Sequence, residues 1–130
     1  MGAIIHHMLK AAPAPVAPFS HAVEVDGWVF VTGQIPENPE NEDEALPVGV
    51  EVQTRRVMDN LTLVLSEIGL GLEHVVTARV FLIDMREFET MNKVYASYFP
   101  PNERPARTCI GVTGLAKGAR VEIDFIVRRP

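Results

Sequence analysis

Pro105-Ala-Arg-Thr-Cys-Ile-Gly-Val-Thr-Gly-Leu-Ala-Lys-Gly-Ala-Arg-Val-Glu-Ile-Asp124 reads as two alternating strands joined by a short Gly-rich loop. Side chains in a strand alternate faces, so Arg107, Cys109, Gly111 and Thr113 share one side, and Thr108, Ile110 and Val112 take the other. In the second strand Val121, Ile123, Phe125 and Val127 supply an apolar face, opposite Arg120, Glu122, Asp124 and Ile126. Pairing of the two as a hairpin would put a guanidinium, a thiol and two carboxylates on the side away from the core. Pro105 stiffens the chain entering Arg107. A pinned arginine near a carboxylate is suited to holding a small acid.

Upstream, His21–Val25 and Trp28–Ile35 read as strands around the turn signal Asp26-Gly27. Apolar residues at Val50, Val57, Leu61, Val64 and Ile68 have helical spacing, and Gly69 and Gly71 provide the stop. His74–Ile83 reads as a strand with Val76, Ala78, Val80 and Leu82 on one clean face. Its other face is still greasy, which places it centrally or against a partner chain. Asp84 is positioned to cap a second helix over 85–99, with Phe88, Met91, Tyr95 and Phe99 as its buried stripe and Pro100-Pro101 ending it. The order is strand, strand, helix, strand, helix, strand, strand: an α+β chain with two helices against one mixed β-sheet. Two helices leave one sheet face uncovered, which predicts self-association.

A length of 130 residues predicts a single domain spanning 1–130, burying roughly two-thirds of its unfolded surface. Residues 1–14 are expected to form a flexible N-terminal segment, with Ala11–Pro18 extended. Glu37–Glu44 reads as a solvated acidic loop. The net charge of −5 argues against binding nucleic acid by phosphate neutralisation. One cysteine excludes an internal disulfide and fits a reducing, cytoplasmic setting. No apolar run approaches the ~20 residues of a membrane helix, so no membrane partner is expected. There is no phosphate loop, dinucleotide fingerprint or metal-ligand spacing, and His6-His7 is a poor chelate.

Taken singly, the candidate residues leave function open. Arg107 either pairs with Glu122 or Asp124 or grips a substrate carboxylate with its planar fork. Cys109 has no nearby histidine to activate it as a nucleophile. Glu122 becomes a general acid/base only in an apolar setting. His21 is either a base or a structural residue at a strand start.

Several motifs in the same order resemble the RidA/YjgF family. Pro105–Val112 followed by Leu115–Asp124 resembles its C-terminal signature. Ala17-Pro-Phe-Ser-His-Ala22 resembles its N-terminal segment, and Val29-Phe-Val-Thr-Gly-Gln-Ile-Pro36 its Ser-Gly-Gln-Ile-Pro strand. Asp59-Asn60-Leu61 and Met91–Tyr95 fall in the two helices, and the match spans about Pro15 to Arg129. The resemblance implies a chorismate-mutase-like fold assembled as a homotrimer with sites at subunit interfaces. It implies hydrolysis of reactive enamines and imines, of the 2-aminoacrylate/2-iminopropanoate type, to a 2-keto acid and ammonia, with no metal or organic cofactor.

By position, Arg107 would clamp the carboxylate, the Cys109 backbone would line the pocket, and Glu122 would activate the attacking water. Thr32 and Gly33 would form one wall, and Asn92 would support the site. Phe19 stands where the family's deaminases usually carry tyrosine, losing one polar contact; a larger or more apolar imino acid, or replacement of that contact by His21, are the expectations that follow. The alternatives of the same fold are a non-catalytic module holding carboxylated metabolites and an endoribonuclease or translation inhibitor.

Overall fold

The computed structural model describes residues 2–130. Six strands, β1 (Ile5–His7), β2 (Ala22–Val25), β3 (Trp28–Gln34), β4 (Val75–Leu82), β5 (Ala106–Gly111) and β6 (Val121–Arg128), form one sheet in the order β1-β2-β3-β6-β4-β5. Every neighbouring pair is antiparallel except β4–β5. Helices α1 (Val50–Glu67) and α2 (Phe88–Ala96) lie on one face, giving the α+β mixed sheet that the alternation of periodicities predicts. Among the described residues no helix is long and apolar enough to cross a membrane.

The C-terminal strands are not a hairpin. β4 lies between them, with Leu82 opposite both Gly111 and Val121. The connection over 112–120 passes above the end of β4 and is tied to it on both sides: Val112 donates its N–H to the Leu82 carbonyl at 2.8 Å, and the Ile83 N–H donates to Arg120 at 3.2 Å. β6 takes the centre because Val121, Ile123, Phe125 and Val127 are all buried, at 1% exposure or less, and a central strand can bury such a row completely. β3 and β4 therefore run parallel with β6 inserted between them.

β4 also departs from simple alternation. Val75 is buried and Val76 exposed, the reverse of the even-numbered face expected at that end. A register shift between Val75 and Thr77 against β6 explains it, since an extra residue in a strand inverts the face of everything before it. From Ala78 onward the expected inward set holds.

Of the expected apolar rows, Val50, Val57, Leu61 and Val64 from α1 and Met91 and Tyr95 from α2 join the core, Ile68 and Phe88 pack partly buried against it, and Met58 and Leu65 widen the α1 row. α1 ends as the glycines predict. Gly69 adopts φ 77, its N–H donates to Ser66, and that of Leu70 donates to Leu65, closing a left-handed C-terminal cap. Asp84 accepts from the Arg86 N–H at 3.0 Å, capping a single 3₁₀ turn that runs into α2.

The first fourteen residues, expected to be flexible, include β1, paired with β2 in register Ile5↔Glu24, and the buried Ala12. His21 explains the attachment. It is 2% exposed; its Nδ1 accepts the Leu9 N–H at 2.9 Å, and its Nε2 reaches the Pro13 carbonyl at 2.8 Å. Nε2 therefore carries the proton, and the ring is a structural bracket, with neither nitrogen left to replace a pocket hydroxyl.

A buried ion cluster locks the far edge. Glu24 accepts from Arg129 at 2.7 and 2.9 Å and contacts His7 at 3.0 Å, while Arg129 also donates to the Ile68 carbonyl at the end of α1. Its hydrogen bonds to the Arg129 guanidinium lower the Glu24 carboxyl to about 2, against the opposing effect of burial. A carboxyl depressed below its ordinary 4.5 contributes stability above that value and loses it as pH falls towards 2. Glu24→Gln should therefore destabilise the protein by about 2 kcal/mol at neutral pH. The gap to wild type should narrow between pH 4.5 and 2 in denaturant titrations. An equal gap at pH 7 and pH 3 would refute the clamp.

Candidate functional site

Pairing across β4 decides which side each candidate residue takes. Arg107 pairs with Ala78, which is buried under the helices, whereas Glu122 pairs with Phe81 on the open face. Arg107 and Glu122 thus lie on opposite faces of the sheet, two strands apart. The shared face expected from a hairpin does not exist, because β5 and β6 are not neighbours. Asp124 is held instead by Arg79, at 3.1 and 2.7 Å.

Arg107 emerges at the helix side of the edge strand. Its guanidinium lies over the rings of Tyr95 (4.9 Å) and Phe88 (5.6 Å), with Nη1 3.9 Å from the Met91 sulfur. No carboxylate among the described residues forms an ion pair with it. The structural salt bridge to Glu122 or Asp124 is therefore absent. A cavity of about 270 Å³ opens beside it, lined by Asn92, Tyr95, Ala96, Arg104 and Pro105. Asn92 Oδ1 and the Tyr95 hydroxyl are buried there without a hydrogen-bond partner. Buried polar atoms are normally satisfied, and here Arg107 and the Tyr95 hydroxyl can donate to a ligand while Asn92 Oδ1 can accept from one. Cys109 follows on the same face, half-buried against the core. Burial pushes its thiol up despite the opposing charge of Arg107, which is the wrong direction for a nucleophile.

Glu122 forms part of a second cavity, of about 210 Å³, together with Phe19, Thr32 and Gly33. A β-bulge builds this wall: Val31 opposes Phe125 and Gln34 opposes Ile123, so Thr32 and Gly33 share the place of one residue opposite Asp124. The Thr32 N–H donates to the His21 carbonyl at 3.0 Å and its hydroxyl to Ser20 at 2.6 Å, fixing the bulge to the segment that carries Phe19. Gly33 lets the Glu122 carboxylate lie close against the backbone, since an added Cβ would push that carboxylate aside. Bulges beside functional sites commonly re-aim a side chain in this way.

Burial pushes the Glu122 carboxyl up, and the neighbouring negative charge of Asp124 adds to the shift while Arg79 opposes it. No donor among the described residues hydrogen-bonds this carboxylate, so it is free to accept from a ligand or water. The other acid at the cavity, Glu37, is neutralised. Expected on a solvated loop, it is 4% exposed and ion-paired with Lys117. The sequence reading missed this pair, and also missed the role of Pro13–Ala17, whose extended Pro-rich course forms one side of the same cavity.

The structure therefore joins Phe19, Thr32, Gly33 and Glu122 in one cavity and Arg107 with Asn92 in another. It does not bring the two sets together within one chain.

Residues 9–129 match the family model described as endoribonuclease L-PSP. A RutC family protein of Synechocystis is 42% identical over 119 residues, covering 92% of this chain and 92% of that protein. A mouse protein named 2-iminobutanoate/2-iminopropanoate deaminase is 35% identical over 128 residues, covering 97% of this chain and 93% of its own length. Among solved structures, E. coli TdcF with bound serine superposes with a TM-score of 0.88 at 29% identity, covering 97% of this chain and 99% of that one.

Proposed function

The chain belongs to the endoribonuclease L-PSP family, also called RidA/YjgF, and on that footing we propose that it hydrolyses reactive 2-imino acids and their enamine tautomers to 2-keto acids and ammonia. The observation that carries this is the separation of two incomplete half-sites. One holds an arginine with no anion; the other holds a desolvated carboxylate with no donor. A homotrimer of chorismate-mutase-like fold completes both, by bringing Arg107 of one copy to the Glu122 cavity of the next. The open sheet face supplies the contact surface, with Trp28, Phe30, Val76 and Ile110 each at least 40% exposed.

In the completed site, the Arg107 fork grips the substrate carboxylate, and Asn92 supports it. Glu122 accepts a proton from water as the water oxygen bonds to the imine carbon and the C=N π pair moves to nitrogen. Proton delivery to nitrogen then lets the C–N bond of the carbinolamine break, releasing ammonia and the keto acid. The imine is already electrophilic, so orientation and one proton-transfer group are sufficient chemistry. The mouse relative's name supports the reaction class. A ribonuclease reading draws on the family's description, but the net charge of −5 works against holding a phosphate backbone.

The test is subunit mixing. With an L-amino-acid oxidase generating imines, wild-type protein should accelerate ammonia release, and Arg107→Ala and Glu122→Gln proteins should not. Dissociated, mixed equally and reassembled, the two variants should regain about a quarter of wild-type activity, the share of intact junctions in a randomly mixed closed ring. No recovery would refute a shared site, and no acceleration by wild type would refute the deaminase.

A further inference from the structure

We propose that the Glu122 cavity is a side-chain subsite that selects 2-imino acids with branched or aromatic apolar side chains and rejects acidic ones. This inference rests on the deaminase reading for its chemistry and on the cavity alone for its selectivity. The wall opposite Glu122 is made by Pro15, Val16, Ala17, Phe19, Ile35 and Ala116, none of which carries a side-chain polar atom. The one hydroxyl in the cavity, on Thr32, already donates to the Ser20 carbonyl. Among the described residues no cation lines the cavity, and Lys117, beside the lining Ala116, is spent on Glu37.

These features fix the orientation of a ligand. Its carboxylate has no partner in this cavity and must point out towards an arginine supplied from elsewhere. Its reacting carbon lies by Glu122. What remains is the side chain, which meets mostly carbon, with Thr32 and Gln34 the uncharged polar residues of the lining. A volume of about 210 Å³ leaves room beside Glu122 for a bulky substituent. A distal carboxylate would face Glu122 with no unpaired cation in the lining to compensate and would be excluded by desolvation and like charge. The exposed edge of Phe19, which is 38% accessible, offers a ring without a hydroxyl to a branched or aromatic group.

The bonds made and broken are those of the same hydrolysis: water adds to carbon, ammonia leaves, and no electron is transferred. Only the substituent differs. Each methylene moved from water into such a wall contributes about fourfold in kcat/KM.

Imines generated by an L-amino-acid oxidase from alanine, leucine, phenylalanine and glutamate should therefore be hydrolysed with unequal efficiency. The leucine-derived imine should exceed the alanine-derived one by about tenfold or more, and the glutamate-derived imine should be the poorest. Val16→Asp should cut the leucine-to-alanine ratio at least fivefold. A preference for the alanine-derived imine, or a ratio indifferent to Val16→Asp, overturns the subsite. The keto-acid products give a readout free of catalysis: 4-methyl-2-oxopentanoate should bind at least fivefold tighter than pyruvate and 2-oxoglutarate in calorimetric titration. If that order appears while no imine is hydrolysed faster, the subsite stands and the deaminase falls. If imines are hydrolysed and the binding order is absent, the reverse holds.

Discussion

Arg107→Ala is expected to lower kcat/KM for imine hydrolysis by a factor of about 10–150, the equivalent of the 1.5–3 kcal/mol of a charge-assisted hydrogen bond to a carboxylate. The fold should survive. The side chain lies half-exposed at the edge strand, its guanidinium over the rings of Tyr95 and Phe88 and beside the Met91 sulfur. Loss of a partly exposed cation–π contact costs about 1 kcal/mol, so the unfolding midpoint should move by a few degrees at most. Arg107→Lys keeps the charge and loses the planar fork, and should retain only a small part of the activity. Most of the change should appear in KM and in kcat together, because the same contact binds and orients. Steady-state kinetics with circular dichroism melts on the same preparations checks this. Wild-type kinetics in Arg107→Ala would remove it from the site, and an unfolded variant would show that its stacking is structural.

Glu122→Gln should be more severe in turnover and opposite in sign for stability. General acid–base groups contribute about 10²–10⁴-fold, so kcat should fall by at least two orders of magnitude with KM little changed. The wild-type rate should rise with pH through a value above the ordinary 4.5, since burial raises this carboxyl and the ionised form is the base. The variant should lose that limb of the profile. For stability, the folded state holds the Glu122 proton more tightly than the unfolded chain does. Folding is therefore favoured below this raised value and penalised as pH climbs through it. Glutamine removes the buried charge, so Glu122→Gln should melt at or above the wild-type temperature at pH 7 and lose that advantage at pH 4. A pH-independent melting difference, or full turnover, would contradict the assignment. A group whose removal disables turnover and raises stability is one held for function at a cost to the fold.

Local chemistry was legible where it acts locally. The type of each helix followed from the 3.6-residue apolar rows, and its ends from Gly69 and Asp84. The Asp26-Gly27 turn, with both residues at positive φ, pairs β2 with β3 as read. The same reasoning failed where remote groups decide. The inversion at Val75–Val76 and the doubling at Thr32–Gly33 are bulges, visible only against β6. The N-terminal segment looked unsupported because its bracket, His21, reaches back to Leu9 and Pro13 through hydrogen bonds that no periodicity encodes.

The sequence by itself determined the kinds of elements, the α+β class and the family, because periodicity and ordered motifs are properties of adjacent residues. It also named Arg107 and Glu122. Only the tertiary structure decided that these two cannot meet within one chain. Insertion of β4 between β5 and β6 sets Arg107 under the helices and Glu122 on the open face. Strand order is settled by which strand can bury both its faces and which loop can cross above it, a competition among remote segments. Within one chain an arginine without an anion and a carboxylate without a donor therefore stand on opposite faces of the sheet, and it is the proposed assembly of copies that would join them.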